Sequence, residues 1–197
     1  MAIIVDKEQK RRDIALACKD LILEKGINNI TVSEVAKSAG IGKGTVYEYF
    51  KDKNEIVFEL VNILMLEHSK KLKLQLETKD STKEKIRSFS TFFYNEEDKN
   101  LRKLYKEFVA LALIAPNDEM IAFHKQCINN YYTWFVEILH DGVNNKELRP
   151  EALQLAKALF VIGDGMFLHN SVIGTQENLQ NDFNTFIDTI FNLMEIQ

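Results

Sequence analysis

Only two prolines, Pro116 and Pro150, and eight glycines interrupt a chain of 197 residues. Proline lacks the backbone N–H that a helix interior needs, and glycine is the next costliest residue to hold in a helix. Their scarcity leaves long stretches open to helix formation. Apolar residues make up 46% of the chain, enough for one or two packed cores. The expected fold class is all-α.

Periodicity divides the chain further. Ile14, Ala15, Cys18, Leu21 and Ile22 fall on one helical face, which predicts a first helix from about Lys7 to Lys25, closed by Gly26 in the left-handed region. Thr31 and Glu34 in "TVSE" stand at capping-box spacing ahead of Val35, Ala36 and Ala39, and Gly40 stops this second helix. A third short helix begins near Gly42 or Lys43, with Val46 and Phe50 directed inward. Asp52 and Glu55 repeat the cap signal and open a long helix through Ile56, Leu60, Ile63 and Leu64 toward Glu77. Two short helices joined by a glycine turn and braced by a longer one describe a helix-turn-helix. The expected division is a head at 1–53 and a body at 54–197, with the linking helix starting at about 54. Within the body, helices are expected at roughly 82–95, 99–114, 118–140 and 151–173, followed by a final one carrying a wide apolar stripe. "HDGVNNKELRPE", with Gly142 and Pro150, reads as a connection.

Inward Val46 and Phe50 turn Lys43, Thr45, Tyr47 and Glu48 outward on the third helix, with Tyr49 at the edge. Lysine and tyrosine hydroxyls reach phosphates, a threonine methyl can touch a thymine methyl, and Gly44 omits a side chain where backbone meets DNA. Free N–H groups at the helix starts near Thr31 and Gly42 favour anions. The net charge of −4 argues against a generic nucleic-acid binder, but it is unevenly spread. Residues 1–53 hold ten Lys/Arg against eight Asp/Glu, and the remainder fifteen against twenty-one. A mildly basic head on an acidic body suits a DNA-reading module joined to a module with another task.

"RRDIALACKDLILEKG" and "ITVSEVAKSAGIGKGTVYEYFKDKNEI", with "GVNNKELRPE" and "LFVIGDGM" more loosely, resemble the TetR family of transcriptional regulators. The motif is specific over about Ile14 to Leu60 and architectural beyond it. This resemblance implies a three-helix DNA-binding head, a longer helical ligand-binding body, and a homodimer formed largely by the last two helices. Candidate dimer contacts are Leu159, Met166, Phe183, Phe186 and Ile190. It also implies that Thr31, Lys43, Gly44, Thr45, Tyr47, Tyr49 and Lys53 meet double-stranded DNA at a palindromic operator. Gly42 stands where family members often have a serine cap. Glu48 stands where a neutral or basic residue is common, and either accepts from a cytosine amino group or points to solvent.

The expected function is therefore a ligand-responsive homodimeric repressor, released from its operator by a small-molecule effector and needing no cofactor. Two alternatives differ in class: an architectural DNA binder without effector, and a helical carrier with an inactive head. Phe93, Tyr94, Phe108, His124, Tyr131, Trp134, Phe167 and His169 are the aromatic and amphipathic candidates for an effector pocket between helices. Glu137 and His140 form an ExxH without the second copy and further glutamates that a di-iron bundle requires, so no metal site is expected. No GxSxG, HExxH, P-loop or GxGxxG is present to suggest an enzyme. Cys18 and Cys127 belong to no CxxC pair and are expected to be reduced. No segment reads as the roughly 18 apolar residues that span a bilayer, and the charges of "MAIIVDKEQKRR" follow its apolar start, so a cytoplasmic setting is expected.

Overall fold

A computed structural model describes residues 6–196; the short apolar run at 2–5 lies outside the described residues. Those residues form ten α-helices: α1 Lys7–Ala17, α2 Lys19–Lys25, α3 Val32–Ser38, α4 Lys43–Tyr49, α5 Lys53–Glu77, α6 Thr82–Ser90, α7 Lys99–Ile114, α8 Asp118–Asn144, α9 Ala152–Ile173 and α10 Leu179–Met194. The all-α expectation holds.

Three elements depart from the periodicity. The first helix breaks at Cys18, where ψ is 0° and the backbone N–H turns back to Ala15 and Leu16. Gly26 closes α2 at φ 82° and ψ 159°, a positive-φ conformation outside the left-handed helical region expected of it. The helix expected at 82–95 ends at Ser90 and continues as a 3₁₀ turn at Thr91–Phe93. There the Ser88, Ser90 and Thr91 hydroxyls bond carbonyls three or four residues back, a competition that loosens helices. Gly142, read as part of a connection, lies inside α8. A Cβ there would approach the Thr82 side chain to 2.6 Å, so this glycine serves close packing against the start of α6.

Two compact units account for the chain. The first comprises residues up to Glu67 with Lys103–Phe123, and the second His68–Arg102 with His124 onward. In the first, Ile14, Ala15, Cys18, Ile22, Val35, Val46, Phe50, Ile56, Val57 and Leu60 are buried. Phe58, Phe108 and Phe123 form an aromatic trio, with Phe58 and Phe123 stacked at 5.0 Å. In the second, Ile86, Phe135, Leu139, Ala152, Ile187, Phe191 and Met194 of α6, α8, α9 and α10, with Leu148 from the connection between α8 and α9, build the core. Leu148 also pairs with Glu195 in an isolated antiparallel bridge.

By length and composition alone α9 passes the test for a membrane-crossing helix, a test that core helices pass as well. Its apolarity is spread over two faces. Ala152, Ala156, Gly163 and Phe167 are buried, whereas Leu155, Val161, Ile162, Val172 and Ile173 are exposed.

Candidate nucleic-acid interface

The head's short helices are set by local chemistry. Thr31 and Glu34 close the expected capping box: Thr31 Oγ1 accepts from Glu34 N–H at 3.3 Å, and Glu34 Oε2 accepts from Thr31 N–H at 2.9 Å. Lys25 completes the arrangement with an ion pair to Glu34. Its hydrogen bond, followed by those from Thr31, lowers the Glu34 carboxyl from the ordinary 4.5 to about 2. After the turn at Gly40, α4 begins at Gly42 without a side-chain cap. Val46 and Phe50, each 1% exposed, fix which face turns outward.

That outward face carries Lys43, Gly44, Tyr47 and Glu48, all exposed, with Thr45 and Tyr49 half-buried at its margins. Tyr47 is 52% exposed, unusually open for an aromatic residue on so short a helix. Apart from its chain neighbours and the backbone of α4 itself, no heavy atom lies within 4 Å of where a Gly44 Cβ would stand. The face therefore offers one cation, one carboxylate, two phenols, a hydroxyl and bare backbone.

Two of the residues expected at the DNA also make bonds within the head. Thr31 is exposed, yet its hydroxyl donates to Glu34 at 2.8 Å, so its first role is to cap α3. Lys53 is half-buried; its ammonium donates to the carbonyls of Asn28 at 2.5 Å and Ile30 at 3.4 Å, holding the link that leads into α3. The distance along the chain hid this second role.

Arg11 was missed entirely. Its guanidinium lies 4.4 Å over the Phe50 ring, donates to the Tyr49 carbonyl at the end of α4, and sits 3.5 Å from Glu59 on α5. A cation at a helix C-terminus complements the dipole, and its stacking on an aromatic face adds about 0.5–1 kcal/mol. It ties α1 to both ends of the turn between α4 and α5. Nothing near Arg11 in sequence signals partners more than 35 residues away.

The effector candidates separate. Phe108 belongs to the aromatic trio of the first unit. In the second unit, Phe93 stacks on Phe183 at 5.2 Å and lies 5.4 Å from Phe167, while Tyr94 meets Phe183 at 6.3 Å. Tyr131 packs edge-on against Trp134 and bonds His68 Nδ1 at 3.0 Å. His68, which the sequence reading did not single out, has its Nε2 3.9 Å from buried Asp98. Burial lowers its basicity against the opposing pull of Asp98, and burial also raises the Tyr131 phenol. His124 is half-buried, with its basicity lowered by burial. His169 is exposed, on the opposite side of α9 from buried Phe167, because two residues along a helix turn about 200°.

Of the dimer candidates, Phe183 is corrected. It is 3% exposed within the chain and has no surface left for a partner. Leu159, Phe186 and Ile190 are half-buried against the second unit's core, and Met166 is half-buried on α9. The space beside Gly163 is filled by Phe93, which would lie 3.0 Å from a Cβ there, whereas Gly165 stands open.

Residues 14–60 match the family model described as bacterial regulatory proteins, tetR family. Among curated proteins, the fatty acid metabolism regulator protein of Bacillus subtilis (strain 168) is 34% identical over 80 residues, 41% of each chain. The match thus spans about two fifths of that relative's length. Among solved structures, a TetR-family transcriptional regulator from Cytophaga hutchinsonii superposes with a TM-score of 0.81 at 16% identity, covering 98% of both chains. The transcriptional regulator FadR from Bacillus subtilis, in complex with stearoyl-CoA, gives 0.71 at 23% identity over 89% of this chain and 95% of that one. At these identities the structural likeness concerns the fold.

Proposed function

We propose, from a head that belongs to the TetR family of bacterial regulatory proteins, that the chain is a homodimeric transcriptional repressor released from a palindromic operator by a small molecule. The observation that carries this reading is the outward face of α4, where Lys43, Gly44 and Tyr47 are presented together by a helix anchored through Val46 and Phe50. Such a helix enters a major groove, its cation and phenols fixing register on phosphates while the remaining side chains read base edges. Thr31, Thr45 and Tyr49 flank the contact, and the protein works in the cytoplasm, where the DNA is.

The dimer forms through α9. Leu155, Ala158, Ile162, Gly165, His169 and Val172 recur at alternating spacings of three and four and are all exposed, the seam pattern of paired helices. Ala158 and Gly165 let the partner helix come close. The effector lies in the body among Phe93, Tyr94, Tyr131, Trp134 and Phe167, with His68, Asp98 and Tyr131 supplying polar contacts in otherwise aromatic surroundings. It acts only through a difference in affinity between DNA-bound and released conformations, typically 1–3 kcal/mol.

The test is selection of random duplex DNA by the purified protein, with the enriched sequence titrated at two salt concentrations. A palindromic consensus with steeply salt-dependent affinity is expected, since each neutralised phosphate releases counterion. Uniform, salt-sensitive binding without enrichment would overturn operator reading in favour of an architectural role.

A further inference from the structure

We propose that α7 sets the pose of the DNA-reading helices by clamping the link between α2 and α3, with Glu107 as the positioning residue and Lys103 as its second grip. The proposal rests on the DNA-reading role given above. Although α7 follows α5 by more than twenty residues in the chain, its segment from Lys103 belongs to the same compact unit as the head. Glu107 Oε2 accepts the backbone N–H of Ile27 at 2.7 Å, across 80 residues of sequence. Lys103 donates to the carbonyl of Leu23, near the end of α2. The two residues stand at i and i+4, hence on one face of α7.

Charge and backbone polarity match at both contacts. The ammonium meets a carbonyl in the last turn of α2, where the helix dipole is negative, and the carboxylate meets a backbone N–H that opens the 3₁₀ turn Ile27–Asn29. Gly26 shows how closely the link is fitted. Its φ of 82° with ψ of 159° belongs to a region essentially restricted to glycine, and a Cβ there would lie 3.0 Å from Glu107 Oε2. Lys53 of α5 holds the next carbonyls, those of Asn28 and Ile30. The link is thus held at Leu23, Ile27, Asn28 and Ile30, and Thr31 then caps α3, the helix that packs on α4.

An open groove of about 370 Å³ runs beside the clamp, walled by Ala110, Leu111 and Ile114. Glu107 is half-buried at its edge, so trimming it leaves a notch that water can fill rather than a sealed void. Loss of the carboxylate should therefore loosen the link without unfolding the head.

The experiment compares full-length wild type, Glu107→Ala and Glu107→Gln. It measures affinity for the selected operator and for a random duplex, thermal midpoint, and hydrogen exchange at the Ile27 amide. Glu107→Ala is expected to weaken operator binding at least tenfold while changing random-duplex affinity less than twofold. The Ile27 amide should exchange at least tenfold faster. Glu107→Gln retains an acceptor and should return operator affinity to within threefold of wild type. Undiminished operator binding by Glu107→Ala overturns the clamp. So does a lowered midpoint with operator and random-duplex affinity falling together and no recovery in Glu107→Gln, which marks a structural role only. Failure of the wild type to select any operator overturns the DNA-reading role itself and, with it, the use assigned to the clamp.

Discussion

A methyl group at position 44 would touch nothing beyond its own turn of α4. Gly44 lies in the first turn of α4, where alanine is the better helix former by up to about 1 kcal/mol. Gly44→Ala should therefore leave the thermal midpoint unchanged or raise it by up to about 4 °C. If the backbone at this point lies against DNA, the same methyl should weaken operator binding about tenfold, equivalent to ~1.4 kcal/mol. Calorimetric melting and operator titration read the two effects separately, and unchanged operator affinity would remove Gly44 from the interface. Residues such as Lys43, Tyr47 and Gly44 were legible in the sequence because one seven-residue helix and its two inward anchors decide where they point. Lys53 and Arg11 were not. Their positions depend on carbonyls and rings contributed by segments more than twenty residues away, and periodicity carries no information about such partners.

At the level of elements, helix starts were read more successfully than helix ends. The caps at Thr31 and Asp52 occur as expected, since a side chain bonding N–H groups two or three residues ahead is a purely local event. The breaks at Cys18 and Ser90 were misplaced because a tightening turn and back-bonding hydroxyls decided them, and Gly142 continues α8 rather than ending it. The cap on α3 yields a pH prediction. Glu34 titrates lower in the folded protein, near 2, than its ordinary 4.5, so its contribution to stability is complete above the ordinary value and is lost as pH falls from about 4.5 through about 2. Glu34→Gln should melt below wild type at pH 7, and the gap should close as pH drops through that window. Thermal melts of both proteins at pH 7, 4 and 2 make the comparison. A gap that persists undiminished at pH 2 would show that the charged form of Glu34 is not what steadies α3.

Across the whole molecule, the exposed seam of α9 and the proposed operator symmetry make one joint prediction. Ile162 is 39% exposed in the single chain, so a glutamate there is tolerated by the protomer fold. In a dimer formed through this seam, the new carboxylate would be buried without a partner near its symmetry mate, a penalty of several kcal/mol. Ile162→Glu should sediment as a monomer at micromolar concentration while keeping the wild-type helical content. Its binding to the full operator should fall by about 10²–10⁴, because the second head no longer benefits from an effective concentration near millimolar. Affinity for an isolated half-site, set by α4 alone, should change little, which separates loss of the dimer from damage to the head. A variant that remains dimeric and binds the full operator as wild type does would place the subunit contact elsewhere, with the half-buried Phe186 and Ile190 of α10 the next residues to substitute.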